Sequence, residues 1–353
     1  MLADHAQYNF EYSRTQGIFQ PLLELNNQLF VAALLVIGAL RVFATDASLG
    51  VGELVGFFFM AQMFFAPVGI LGNQYNQALT SMAGAERVFK LLDAEPDWRD
   101  DPSAVDLDEL RGDVDFRHVT FGYDPARPVL NDITFHARPG MSIALVGHTG
   151  SGKTSIINLL AKFYLAGEGE LLLDGREIRT ITGRSLHRHI ALVLQQNFLF
   201  TGTVADNIRY GKLDAAPAEM EDVLRRLECW DLIAKLPHGL DTPVGERGGL
   251  LSLGQRQVVC FARAMIAEPR ILILDEATSS VDAVTEAKLQ RALEVLLAGR
   301  TSFIIAHRLS TIRHADLVLM LDHGRILERG THDELIAADG AYAKLYERFL
   351  ASA

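Results

Sequence analysis

The octapeptide Gly147-His148-Thr149-Gly150-Ser151-Gly152-Lys153-Thr154 constrains this 353-residue chain more than any other stretch. It has the spacing G-x-x-x-x-G-K-[ST], and its flanks give that spacing mechanical meaning. Met141 to Val146, opened by Pro139-Gly140, reads as a buried strand, and Ile156, Ile157, Leu159, Leu160 and Phe163 recur at helical spacing. A strand, a glycine loop and a helix in that order aim backbone N–H groups and the positive end of a helix dipole at one point. Glycine is required where a side chain would keep phosphate oxygens off the backbone. Lys153 can then neutralise β/γ-phosphate charge, and the Thr154 hydroxyl can ligate Mg²⁺. A chance glycine turn would not account for both flanks, so the stretch is read as a nucleotide site.

The length allows two domains. A net charge of -11 and the lack of any Lys/Arg-rich run argue against a nucleic-acid partner. Cys229 and Cys260 form no C-x-x-C pair; they point to a reducing compartment, no cysteine metal site and a role as small buried hydrophobes. No basic n-region with a cleavage site opens the chain, so no signal peptide is expected.

Apolar residues make up 49% of the chain but concentrate near the N-terminus. Leu29 to Leu40 is uninterrupted apolar sequence, and with its flanks the segment 21–44 is long enough to span a bilayer. Leu54 to Gly72 carries no charge and includes Phe57, Phe58, Phe59, Phe64 and Phe65; about 19 such residues cross a bilayer core. Thr45 to Glu53 between them has no Lys or Arg, whereas Arg87 and Lys90 follow. By the positive-inside tendency the short loop faces outward and both flanks face the cytoplasm. Gln62, Asn73, Gln74, Asn76 and Gln77 lie on or below the second span, more as a solvated helix end than as a polar pathway. The division expected is therefore a transmembrane segment over 1–92, an Asp- and Pro-rich linker over 93–112, and a nucleotide-binding domain over 113–353.

From Val114 the pattern is α/β: short apolar runs alternate with helical stretches and turns such as Asp174-Gly175 and His323-Gly324. Ile190 to Leu194 leads to Gln195-Gln196, Ile271 to Leu274 to Asp275-Glu276, and Ser302 to Ala306 to His307. In an open parallel sheet ligands collect beyond the carboxyl ends of strands, so these residues are expected at the edge that carries the phosphate loop. There Asp275 suits the Mg²⁺ shell and Glu276 suits polarisation of an attacking water. Leu251-Ser252-Leu253-Gly254-Gln255 opens a helical pattern through Val258, Val259, Phe261, Ala262, Met265 and Ile266. Ser252 and Gln255 have capping-box spacing, and a helix start with a hydroxyl and a glycine is also a second anion site.

These residues resemble, in kind and order, the ATPase domain of ABC transporters over Phe121 to Ala341. Gly147 to Thr154 is similar to Walker A, Ile271 to Glu276 to Walker B with its catalytic glutamate, and Leu251 to Gln255 to the ABC signature. Gln195 resembles the Q-loop glutamine, Ser279-Ser280-Val281-Asp282 the D-loop, and His307 the switch histidine. Tyr123 resembles the aromatic residue that stacks on adenine. Thr242 to Gly248, with Glu246, is similar to a segment that in exporters contacts the membrane domain, and Gln195 and Glu246 are the candidates for passing a change to it. The two spans and Glu86-Arg87-Val88-Phe89 resemble the last two helices of an exporter membrane domain fused ahead of the ATPase.

The resemblance implies an α-helical transmembrane segment followed by an α/β P-loop NTPase of the ABC type, acting as an ATPase that exports a drug, lipid or peptide across the cytoplasmic membrane with its ATPase domain in the cytoplasm. It implies ATP and Mg²⁺, with Thr154, Gln195 and Asp275 at the metal, and catalysis by Glu276, His307 and Gln195. It also implies a second half-transporter subunit, identical or not, so that ATP lies between Tyr123, the phosphate loop, Gln195, Asp275, Glu276 and His307 of one subunit and Ser252 and Gly254 of the other, with Gln255 and Asp282 further nucleotide-binding candidates. Such halves have six spans and this sequence opens with about two. The expectation is a truncated start or a fragment working with further transmembrane helices and lipid. Leu253 stands where glycine is commonest, which tilts toward an asymmetric pair, and Leu194 replaces a usual proline. A non-transport ABC ATPase and a decayed transporter fragment are the competing readings; the Leu54–Gly72 segment speaks against the first. GTP is disfavoured, because no Asn-Lys-x-Asp motif occurs and Tyr123 suits adenine.

Overall fold

The computed structural model describes residues 21–22, 25–43, 49–96, 98–275, 282–306 and 309–352. The chain divides into two units, Met1–Pro96 and Asp97–Ala353.

In the first unit the apolar runs form helices α1 (Leu25–Val42) and α2 (Val51–Leu92), both long and apolar enough to cross a membrane. The expected spans 21–44 and 54–72 overlap them; positions 23, 24 and 44 lie outside the described residues, as do 1–20. Glu53 starts α2 by accepting the Gly50 N–H at 2.9 Å. At 42 residues α2 is about 63 Å long, twice a bilayer's hydrocarbon thickness. The extra length carries the polar Asn73–Gln77 region and the Glu86–Lys90 ion pair (2.8 Å) beyond the apolar span. Pro67 sits inside the helix without ending it. The two helices run antiparallel in contact: Phe30 meets Phe65 edge-on with centroids 5.2 Å apart, and Gly38 lets Leu54 approach to where a Cβ would be 2.2 Å from Leu54 Cδ1.

The second unit opens with β1 (Val114–Phe121), β2 (Leu130–Ala137) and β3 (Ser142–Gly147), followed by α3 (Lys153–Leu160), β4 (Glu168–Leu173), β5 (Arg176–Glu177) and α4 (Gly183–Leu186). Then come β6 (Ile190–Val193), α5 (Val204–Arg209), α6 (Pro217–Arg226), α7 (Trp230–Ala234), α8 (Leu253–Ile266), β7 (Ile271–Asp275) and α9 (Ala283–Leu297). The unit closes with β8 (Thr301–Ile305), α10 (Leu309–Arg313), β9 (Leu317–Asp322), β10 (Arg325–Gly330), α11 (His332–Ala337) and α12 (Ala341–Ser352). Among the described residues an antiparallel sheet runs β2-β1-β4-β5, and a six-stranded sheet runs β10-β9-β3-β8-β7-β6. In the latter β9, β3, β8, β7 and β6 are parallel and β10 is antiparallel.

Strand alternation sorts this sheet's side chains into two cores. Ile143, Leu145, Ile271, Ile273, Leu319 and Leu321 join β1, β2, β4 and α3 on one side, where Phe116 stacks on Phe135 at 4.6 Å. Ala144, Val146, Leu272, Leu274, Val318 and Met320 join α5, α6, α8 and α9 on the other. The apolar runs are continuous because both faces are covered.

Two readings change. The helix after the phosphate loop stops at Leu160, and Lys162 takes a left-handed φ of 54°, so Phe163 lies beyond the helix and is half exposed. Most of the segment expected as a linker packs on the second unit: Leu107 and Leu110 are buried, Val105 pairs with Ile181, and the Leu107 N–H donates to Ser185 Oγ at 3.0 Å.

Candidate functional site

β3 delivers the chain to Gly147, whose φ of 147° and neighbours require glycine: a Cβ there would lie 2.2 Å from the Leu321 carbonyl oxygen on β9. Gly152 caps α3 at φ 106°, with a Cβ position 2.6 Å from Leu130 Cδ2. Gly150, at φ 83°, has nothing within 4 Å of its Cβ position, so the loop is open there. His148, Thr149 and Gly150 are exposed while Ser151 is buried. The loop is braced from β9–β10, where the Gly324 N–H donates to the Ser151 carbonyl at 3.1 Å.

Lys153 folds over this loop. Its Nζ donates to the Gly147 and His148 carbonyls, both at 2.8 Å, and to Ser151 Oγ at 3.4 Å. Burial pulls its ammonium below the ordinary lysine value, and the charge of Asp275 opposes that shift. Thr154, one residue on, is exposed at the first turn of α3, where backbone N–H groups have no intrahelical acceptor.

The parallel order β3-β8-β7-β6 brings the strand ends to one edge, as expected from the four apolar runs. Asp275 ends β7, partly buried, and the exposed Gln195 follows two residues after β6. The Ala306 N–H donates to the Leu145 carbonyl at 3.3 Å, holding the segment before His307 against β3. Glu276, His307 and Ser279 to Val281 lie outside the described residues.

Tyr123 is half exposed at the end of β1, in a turn closed by an Arg127 N–H to Asp124 carbonyl bond of 2.8 Å. Its ring lies edge-on to Phe121 and Tyr164, with both centroids 5.0 Å away. Its hydroxyl lies 3.3 Å from Ser155 Oγ and accepts from Asn158 Nδ2 at 3.1 Å, both on α3. Ser155, Asn158 and Tyr164 escape sequence reasoning; the signal available was only two polar residues on a helix otherwise filled by core residues, and an aromatic residue beyond its end.

At the start of α8 the capping box is realised: Gln255 N–H donates to Ser252 Oγ at 3.2 Å, and Ser252 N–H donates to Gln255 Oε1 at 2.9 Å. Ser252 is exposed, Leu253 half-buried and Gly254 buried. A hydroxyl that accepts the cap bond keeps its own proton to donate, so capping and anion binding are compatible. Asp282 caps α9 by accepting the Thr285 N–H at 3.0 Å, a bond that holds its carboxyl below the usual range. Glu246 and Arg247 are exposed on the turn after the buried Val244.

Residues 130–279 match the ABC transporter family. An uncharacterized ABC transporter ATP-binding protein of Bacillus subtilis is 44% identical over 335 residues, covering 95% of this chain and 55% of that protein. An ATP-dependent lipid A-core flippase of Pseudomonas fluorescens is 44% identical over 335 residues, covering 94% of this chain and 55% of the flippase. The solved structure of a bacterial Atm1-family ABC exporter with ATP bound matches with a TM-score of 0.70 at 35% identity, over 97% of this chain and 60% of that one. The chain spans about half the length of the curated relatives it matches. Both the motif order and these matches, which take in the apolar helices as well as the α/β unit, say that the chain belongs to the ABC transporter family and carries its ATP-binding domain.

Proposed function

We propose that this chain hydrolyses ATP as part of an exporter half, coupling that hydrolysis to movement of a drug-, lipid- or peptide-type cargo across the cytoplasmic membrane. The observation that carries the reading is the shared edge of β3, β8, β7 and β6, which collects the phosphate loop, Asp275 and Gln195 on one side of the sheet. Membrane attachment rests on α1 and α2, and Arg87 and Lys90 favour a cytoplasmic ATPase unit. The flippase among the relatives supports a lipid-like cargo.

The open glycine loop and the first turn of α3 bind the phosphates through backbone N–H groups, and Lys153 exchanges its loop carbonyls for phosphate oxygens. Thr154, Gln195 and Asp275 offer hydroxyl, amide and carboxylate oxygens, a hard donor set that suits Mg²⁺. Bound there with ATP, the ion would neutralise charge across the β- and γ-phosphates. Glu276 orients and deprotonates the attacking water, and His307 contacts the γ-phosphate. Tyr123 stacks on adenine. Ser252 and Gly254 of a second subunit close on the same ATP, so cleavage loosens a contact between subunits. Gln195 and Glu246 carry that change toward the remaining transmembrane helices.

The test is Glu276→Gln in the full chain. Turnover is expected to disappear while ATP still binds and accumulates a nucleotide-bound dimer; parental turnover in the variant would remove Glu276 and the hydrolytic reading.

A further inference from the structure

The side chain read as the adenine platform is held from three directions. Asn158 Nδ2 donates to Tyr123 Oη at 3.1 Å, which leaves the phenolic proton free to point at Ser155 Oγ, 3.3 Å away. Ser155 is buried, so this end of the chain of bonds has a fixed anchor. Phe121 and Tyr164 meet the ring edge-on at 77° and 86°. Gly122 lets the turn close, since a Cβ there would lie 2.5 Å from the Arg127 carbonyl oxygen. A half-exposed tyrosine on a surface turn would ordinarily sample several rotamers. This one is tied to the same helix whose first turn carries Lys153 and Thr154.

We propose that Asn158, with Ser155 and Tyr164, is a positioning residue for base recognition. It fixes the Tyr123 ring relative to the phosphate loop, so that the base and the triphosphate of one nucleotide are measured against a single rigid helix. The inference rests on the reading of Tyr123 as the adenine platform. Its physical content is preorganisation: a ring immobilised before binding saves the ordering cost that a free ring would incur on contact with the base. Asn158 lies past the first turn of α3, which carries Lys153 and Thr154, so its effect is expected to be confined to ligands that carry a base.

The experiment is calorimetric binding of ATP and of inorganic tripolyphosphate to the detergent-solubilised full chain. Asn158→Leu is expected to weaken ATP binding about threefold to tenfold, the range for one immobilised side chain, and to change tripolyphosphate binding by less than about twofold. Tyr123→Phe removes the same tether from the other end, so the double variant should be no weaker than the weaker single. Tyr164→Leu gives an independent arm with the same base-selective loss. Additive losses, equal losses for both ligands, or an unaltered ATP affinity in Asn158→Leu would each overturn the proposal. Tyr123→Ala separates the two layers. If it leaves ATP affinity intact, the adenine reading itself falls; if it weakens ATP alone while Asn158→Leu does not, only the tether falls.

Discussion

Lys162 Nζ lies 2.7 Å from Asp100 Oδ1, and the lysine is only 1% exposed. The ammonium also donates to the Ile181 carbonyl and sits 5.1 Å from the centre of the Trp98 ring, while Asp100 Oδ2 accepts the Gly183 N–H at 2.8 Å. Trp98 Nε1 in turn donates to the Phe163 carbonyl at 3.0 Å. The first described residues of the second unit are thereby fastened just past the C-terminal end of the phosphate-loop helix.

The pair is asymmetric, and that asymmetry is testable. Asp100→Ala leaves a buried cation without its counter-ion and is expected to destabilise the chain by about 3 kcal/mol. Lys162→Met fills the same volume and leaves Asp100 able to hydrate, so about 1 kcal/mol is expected. Thermal unfolding of the solubilised chain checks the order; a larger loss in Lys162→Met would contradict it.

The same pair sets a pH dependence. Burial of Asp100 opposes its ionisation, but the bonds from Lys162 and the Gly183 N–H outweigh it and hold the carboxyl below the usual range. A depressed folded value means the contribution is present above the unfolded carboxylate value, about 4, and is lost as pH falls through the lower folded value. The stability gap between the parent and Asp100→Asn should therefore narrow below about pH 4, as followed by unfolding midpoints across pH. A gap that widens on acidification would have the wrong sign.

Glycines of the phosphate loop should separate stability from binding. Gly147→Ala drives a Cβ to 2.2 Å from a backbone oxygen of β9 at a strained φ, so a loss of several kcal/mol, about 3 or more, is expected. Gly150→Ala meets no atom within 4 Å, so only the left-handed backbone cost of about 1 kcal/mol applies, with the main loss in nucleotide affinity. Unfolding and ATP titration on both variants read the two effects apart.

Ser252 is expected to show two roles through two substitutions. Ser252→Ala removes the α8 cap and should cost about 1 kcal/mol, whereas Ser252→Gly should cost only a few tenths. If the hydroxyl also completes a partner's ATP site, both variants lose ATP-dependent dimerisation alike, as measured by light scattering of the Glu276→Gln background. Dimerisation that tracks stability would assign Ser252 to the cap alone.

The cysteines should be silent in the folded protein. Cys229 is fully buried, and burial with the nearby Asp231 charge pushes its thiol up to about 11; Cys260, on α8, is buried in the same core and is pushed up by that burial as well. Neither is expected to react with a thiol reagent at neutral pH until the chain unfolds, and rapid labelling of either in the native state would contradict their burial.

Local chemistry was enough to read the phosphate loop, the capping box at Ser252 and the edge where Gln195 and Asp275 meet it. Each depends on residues close in sequence or on the simple rule that parallel strands end together. The apolar core of α2 was likewise legible, from the uncharged run Leu54 to Gly72. The stop of α3 at Leu160 was not legible, because it follows from the left-handed Lys162 and its distant partner Asp100, 62 residues earlier. Nor could Asn158 be joined to Tyr123, 35 residues apart, or Asp100 be told from a solvated linker acid. What the amino-acid sequence determined by itself was the set of local units and the chemistry at their ends, since backbone geometry and short spacing govern those. Only the tertiary structure decided which distant polar groups were buried together, because the cost of burying a charge or a hydroxyl is met by whichever partner the packed fold brings within reach.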